Sequence, residues 1–215
     1  MADQKVSQLA NIVTPLGTDE LYIVASGLSK AISMNDLANF LAGLSGYSLI
    51  QEQLLGSDVA SIAFQNIPQT FRNLVLKCYA RHSEAVSDNY LRMRFNNDSG
   101  ANYDYQHAFF VNATTSISAT YTQTSFIIGD VPGNNSTRNT QMGFIEVNIP
   151  HYTGTTFEKL AICHSGGTWL TAGNGTGSQI ESGGWRSTAA ISRIDVFPTA
   201  GNLKAGSLFS LYGTR

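Results

Sequence analysis

The chain has 215 residues, a formal net charge of −2, 42% hydrophobic residues and only 13% charged ones. That length holds one sandwich domain plus a small module, or two modest domains, and apolar runs spread along the whole sequence exclude a disordered chain. Near-neutral charge with no basic cluster gives no electrostatic reason to bind nucleic acid or an acidic membrane surface, so neither is expected as a partner.

The first residues, Met1-Ala2-Asp3-Gln4-Lys5, lack the long apolar core of a secretory signal. No run approaches the roughly 20 apolar residues of a membrane span. The expectation is a soluble protein made in the cytoplasm. Glu20–Ala25 and Lys30–Met34 read as two short strands around a turn containing Gly27. Behind them Leu37, Phe40, Leu41 and Leu44 fall at i, i+3, i+4 and i+7, which is one face of a short helix. Ser33 or Asn35 is placed to cap it and Gly46 to end it. An isolated hairpin and ten residues of helix are marginal alone, so residues 1–50 form a module that needs a neighbour. Its apolar stripe of Leu37, Phe40, Leu41 and Leu44 is the candidate anchor interface.

Tyr47 to Gly56 reads as a connector with some helical tendency, and residues 51–215 as a separate domain. Ile62 and Phe64 alternate with polar or small neighbours, as do Leu74, Leu76, Cys78 and Ala80. Leu91, Met93 and Phe95 alternate with Tyr90, Arg92, Arg94 and Asn96, the clearest period-two pattern in the chain. Asn97-Asp98-Ser99-Gly100 then reads as a hairpin loop. Further strands are expected at 108–112, 125–129, 144–149, 160–164, 185–191, 193–197 and 207–212. Turn-rich segments lie at 131–136 and 173–177. About ten short strands without helical period predict a mainly β chain: a jelly-roll-like antiparallel β-sandwich behind a small hairpin-plus-helix module. A closed barrel is the alternative.

Specific residues carry a resemblance. Val6-Ser7-Gln8-Leu9, the run Gly17 to Val24, and Lys30 to Leu37 resemble the N-terminal module of many phage fibre and decoration proteins. Ile62 to Leu74, Arg94-Phe95-Asn96-Asn97-Asp98, Asn102-Tyr103-Asp104, Ile149-Pro150-His151-Tyr152, Gly184-Trp185-Arg186-Ser187 and Ala205 to Gly213 resemble a phage virion domain found behind such modules. The resemblance covers most of the chain and is most specific at its C-terminal end. It implies a structural appendage of a tailed-bacteriophage particle, of the tail fibre, head fibre or capsid decoration kind. It also implies a homotrimer bound to capsid or tail proteins, a virion location, and no shared catalytic residues.

Chemistry-bearing residues are sparse. Asn96, Asn97, Asp98, Asn102 and Asp104 surround Gly100 and read either as a calcium loop or as a plain Asx-rich turn, since only two are carboxylates. His82, His107, His151 and His164 show no metal spacing. No metal or cofactor is expected. Cys78 and Cys163 sit in apolar runs and read as reduced core thiols, although a disulfide between them is open. Glycan hydrolysis needs two carboxylates across a cleft, and neither that pattern nor a Gly-x-Ser-x-Gly elbow stands out. The chain is therefore expected not to be an enzyme. Tyr103, Tyr105 and Trp169, read in or beside loops, are the candidate glycan-binding residues, because sugar C–H faces pack on aromatic rings. Trp185 reads as core. The function expected is that of a structural appendage that displays its sandwich for host-surface adhesion; a carbohydrate-recognition module of a tail fibre is the alternative reading, and a glycan hydrolase the least favoured one.

Overall fold

A computed structural model describes residues 16, 18–25, 28–38, 46–111, 114–134, 140–167 and 176–215. The chain divides into two compact units, Met1–Gly46 and Tyr47–Arg215. In the first, β1 (Glu20–Ala25) and β2 (Leu28–Ser33) pair antiparallel from Glu20↔Ser33 to Ala25↔Leu28. Residues 34–38 continue as helix. Of the two candidate caps Ser33 is the one used: the Asp36 N–H donates to its Oγ at 3.1 Å, and that hydroxyl donates to Asp36 Oδ2 at 2.7 Å. Leu37 is half-buried. Phe40, Leu41 and Leu44 lie outside the described residues.

The second unit contains β3 (Ser48–Leu54), β4 (Ile62–Phe64), β5 (Asn73–Ala80), β6 (Asp88–Phe95), β7 (Tyr103–Val111) and β8 (Thr114–Gln123). It continues with β9 (Phe126–Pro132), β10 (Gly143–Ile149), β11 (Lys159–Gly167), β12 (Gly177–Trp185), β13 (Ile194–Pro198) and β14 (Leu208–Thr214). They form an eight-stranded sheet, β3-β14-β5-β10-β11-β12-β7-β8, and a four-stranded sheet, β4-β13-β6-β9. All the pairings are antiparallel. Setting aside the hairpins β7–β8 and β11–β12 leaves two four-stranded sheets, β3-β14-β5-β10 and β4-β13-β6-β9, between which the chain passes as a jelly roll. The two hairpins are insertions that join each other through β12 and β7 and widen one sheet by four strands.

Period-two patterning builds both inner faces. Leu74, Leu76, Cys78 and Ala80 of β5 point inward, as do Leu91, Met93 and Phe95 of β6 and Ile145, Val147 and Ile149 of β10. At one end Phe95, Phe126, Tyr103 and Trp185 pack ring against ring, with centroids 5.6 Å apart for Phe95–Phe126 and 5.7 Å for Phe95–Trp185. Gly183 permits this contact: a Cβ there would sit 2.1 Å from the Phe126 ring. Cys78 and Cys163 are both free and buried, so they are core thiols.

Several expectations change. The connector from Tyr47 is not helical: Ser48–Leu54 is the edge strand of the large sheet and pairs with the C-terminal β14. The division between units therefore falls at Gly46/Tyr47 and not at 50/51. Asn97–Gly100 is not a hairpin loop, because β6 and β7 belong to different sheets and the segment crosses the sandwich. Strands β8 and β12 are so rich in Thr, Ser and Gly that they carry no apolar alternation to read. The strand expected from Trp185 onward is absent; Trp185 ends β12, and residues 186–193 lie outside strands.

Candidate functional site

Tyr103 and Tyr105 are not available to a sugar. Both lie on the inner face of β7, Tyr103 with 0% and Tyr105 with 9% of its surface exposed. The reason is register: the strand begins at Tyr103 and not near residue 108, so alternate residues from its first position turn inward. The Tyr103 hydroxyl accepts the Phe95 N–H at 2.9 Å, tying the crossing segment to the core. Trp169 lies outside the described residues. Trp185 is core, 3% exposed.

The calcium reading of the Asn96–Asp104 segment fails on its donors. Asp98 Oδ2 accepts from Trp185 Nε1 at 2.7 Å and from Asn102 Nδ2 at 2.9 Å, while Oδ1 accepts from Gly100 N at 2.8 Å. The indole N–H, then Asn102 and Gly100, hold this carboxyl below its ordinary pKa. Asp104 receives Arg186 Nη1 on both oxygens at 2.7 Å and Thr122 N on Oδ1 at 2.8 Å. Oxygens aimed at by N–H donors are turned away from a cation. The segment is an Asx-rich turn, with Asn96 at φ 50° and Asn97 at φ 55°. Among the described residues no cluster of three His, Cys, Asp or Glu side chains is arranged for a metal.

Among the described residues, a surface with the form of a binding site is the outer face of the eight-stranded sheet. Across β11, β12 and β7 one row of this face runs Leu160, Gly184, Asp104. Gly184 carries no side chain and so leaves a dip. On one side of it Asp104, Gln106, Ala119, Tyr121 and Ser182 line a groove of about 210 Å³. On the other, Pro150, His151, Thr156, Phe157, Glu158 and Leu160 line a second of about 220 Å³. A third, of about 330 Å³, shares Pro150 and extends to Tyr47 and Asn148. Tyr121 is 66% and Phe157 77% exposed, which puts one ring in each of the first two grooves. Strands β11 to β8 span roughly 14 Å at about 4.8 Å per strand, so the two grooves are neighbours along one trough-like stretch of the surface. Flat rings flanking amide, hydroxyl and carboxylate groups suit a polar ligand with apolar C–H faces.

Comparison with protein-family models, with curated proteins and with solved structures returned no match.

Sequence reasoning missed Tyr121 because its strand, Thr114–Gln123, carries only two large apolar residues and its polar run hides the pleat. Phe157 sits in the turn before β11, where an isolated aromatic gives no periodic signal. Of the histidines, His82 and His107 are buried, whereas His151 and His164 are exposed. The two carboxyls with strongly raised pKa, Asp130 and Glu181, lie between the sheets and do not face the trough.

Proposed function

We propose that this chain is a non-enzymatic structural appendage of a tailed-phage particle, a homotrimer joined to capsid or tail proteins through its N-terminal unit and displaying the jelly roll outward. The observation that carries this is the division at Gly46/Tyr47, which separates a small hairpin-and-helix unit from a jelly roll with a complete core of its own. The resemblance of both segments to phage virion proteins supports the same division of labour. The test is a cryo-electron microscopy map of the particle. The jelly roll of residues 47–215 is expected as a repeated, three-fold density on head or tail; particles without the chain overturn the reading.

The trough on the outer face favours a second role for the same appendage, adhesion to a host-surface glycan. Tyr121 sits on an inserted strand and Phe157 in the turn leading into another, outside the eight strands that the jelly roll itself requires. Glycan-array binding of the full chain checks this. Tyr121→Ala and Phe157→Ala are each expected to weaken binding about tenfold, equivalent to about 1.4 kcal/mol. Exposed rings contribute little to the core, so stability is expected to stay within about 0.5 kcal/mol. Absence of saturable glycan binding leaves the structural role alone.

A further inference from the structure

Between the sheets lies a polar patch at the place where β9, the last strand of the smaller sheet, covers the inserted hairpins. Glu181, on the inner face of β12, is 0% exposed and stands in register between Cys163 of β11 and His107 of β7. Two residues earlier on the same face, Gln179 stands between Ser165 and Phe109. Asp130 reaches the patch from β9. A bulge places Gly129 opposite Leu91 but Ile127 opposite Arg92, and this extra residue re-aims the side chains after it. Gly129 takes the φ of +143° that few other residues adopt, and a Cβ there would lie 2.5 Å from that of Ser165. The strand therefore sits close on the sheet, and the Gln179 amide N–H donates to Asp130 Oδ2.

The hydrogen-bond inventory of the patch does not balance. Asp130 Oδ1, both Glu181 carboxyl oxygens, Gln179 Oε1 and Ser165 Oγ are buried and have no hydrogen-bond partner among the described residues. Four of the five are pure acceptors when the acids are ionised, and buried acceptors require donors. Among the described residues, the groups facing the patch do not supply a cation. Asp88 and Tyr90 come from β6, Tyr105 and His107 from β7, and Cys163 from β11. Arg92 of β6 is turned to Ser125 and lies over the Tyr105 ring. Burial lowers the pKa of His107, which disfavours its charged form. The described ion pairs include neither acid. Protons on the two carboxyls would turn two orphaned acceptors into donors.

We propose that Asp130 and Glu181 form an interior proton-binding site that holds the inserted strands under β9 while the two acids are protonated and loosens this contact when both ionise. Burial pushes Asp130 up to about 7, and burial together with neighbouring Asp130 pushes Glu181 up to about 8. Folded values above the unfolded ones mean that the stabilisation is fully present below the ordinary carboxyl range near pH 4. It is lost as pH rises through the folded values. The device thus strengthens the sandwich on mild acidification, opposite in sign to the usual salt-bridged carboxylate.

The experiment is urea unfolding of the full chain between about pH 7 and 8, above the ordinary imidazole value near 6.5 that His82 and His107 regain on unfolding and below that of the thiols. The midpoint is expected to fall steadily with pH, and unfolding at pH 7 to release roughly one to two protons by calorimetry in buffers of different ionisation enthalpy. In the double variant Asp130→Asn, Glu181→Gln both effects are expected to vanish. A flat or rising midpoint in the native chain, or an unchanged slope in the double variant, overturns the proposal. If the double variant does not fold, carboxyl 13C titration of the native chain decides: two midpoints at ordinary carboxyl values overturn it. Stabilisation by calcium chloride at pH 8 that Glu181→Gln removes would also overturn it, because the pair would then be a cation site.

Discussion

At the scale of single residues, the interior is fixed by close approaches that side-chain chemistry alone does not advertise. Gly183 lies under the Phe126 ring, and Gly213 has the same relation to Phe71, where a Cβ would fall 2.2 Å from the ring. Neither glycine has a positive φ, so what each supplies is room for an aromatic face against the sheet. Gly183→Ala is expected to displace Phe126 within the cluster of Phe95, Tyr103 and Trp185 and to cost about 1–3 kcal/mol, measured as a lower urea midpoint with unchanged m-value. Lys159 shows the polar counterpart. It is 3% exposed, and its ammonium donates to the carbonyls of Gly154 at 2.7 Å and of Phe157 and Thr188 at 3.1 Å. A cation held by three carbonyls joins the turn before β11 to the loop after β12, and so steadies the wall on which Phe157 is carried.

Elements divide into those that make the jelly roll and those added to it. β8 is the clearest addition: nearly every residue from Thr114 to Gln123 is exposed, so the smaller sheet does not cover it. The N-terminal hairpin and the helix starting at 34 are a different kind of addition, placed in a separate compact unit. If that unit is the anchor, removing residues 1–46 is expected to leave a folded, soluble jelly roll that no longer joins particles. Phe40→Asp is expected to lower particle incorporation while leaving the melting of 47–215 unchanged, because a large apolar side chain contributes about 1.5–3 kcal/mol where it is buried. Co-sedimentation with particles and calorimetry of the two variants check this. Unfolding of 47–215 on truncation counts against the division.

At the scale of the whole molecule, the outer face of the large sheet carries Tyr79, Phe144, Ile180 and Ile117, all partly exposed. Phe144 pairs directly with Tyr79 across β10 and β5, which concentrates apolar surface away from the trough. Closed three-fold symmetry would let three copies shield such surface without growing into filaments. The full chain is expected to run as a trimer by light scattering and native mass spectrometry at micromolar concentration. A clean monomer would remove the homotrimer from the proposed function, leaving only assembly on the particle.

Alternation and turn chemistry by themselves determined that this chain is mainly β, that Ile62–Phe64, the strand after Asn73 and the run to Phe95 are strands, and that Trp185 and both cysteines are core. Those properties come from local period and apolarity, which survive without knowledge of partners. Only the tertiary structure decided which strands meet. The edge strand at Ser48 acquires its identity from β14 at the far end of the chain, and the polar strands β8 and β12 exist because β7 and β11 offer them backbone partners. The same holds for the sites. A shift in the expected start of β7 turns Tyr103 and Tyr105 inward, and Tyr121 becomes the exposed ring. Asp130 and Glu181, 51 residues apart in sequence, come within each other's electrostatic reach because β9 of the small sheet packs across the inserted hairpins. Burial and non-local register are properties of packed sheets, and a linear pattern of residues does not contain them.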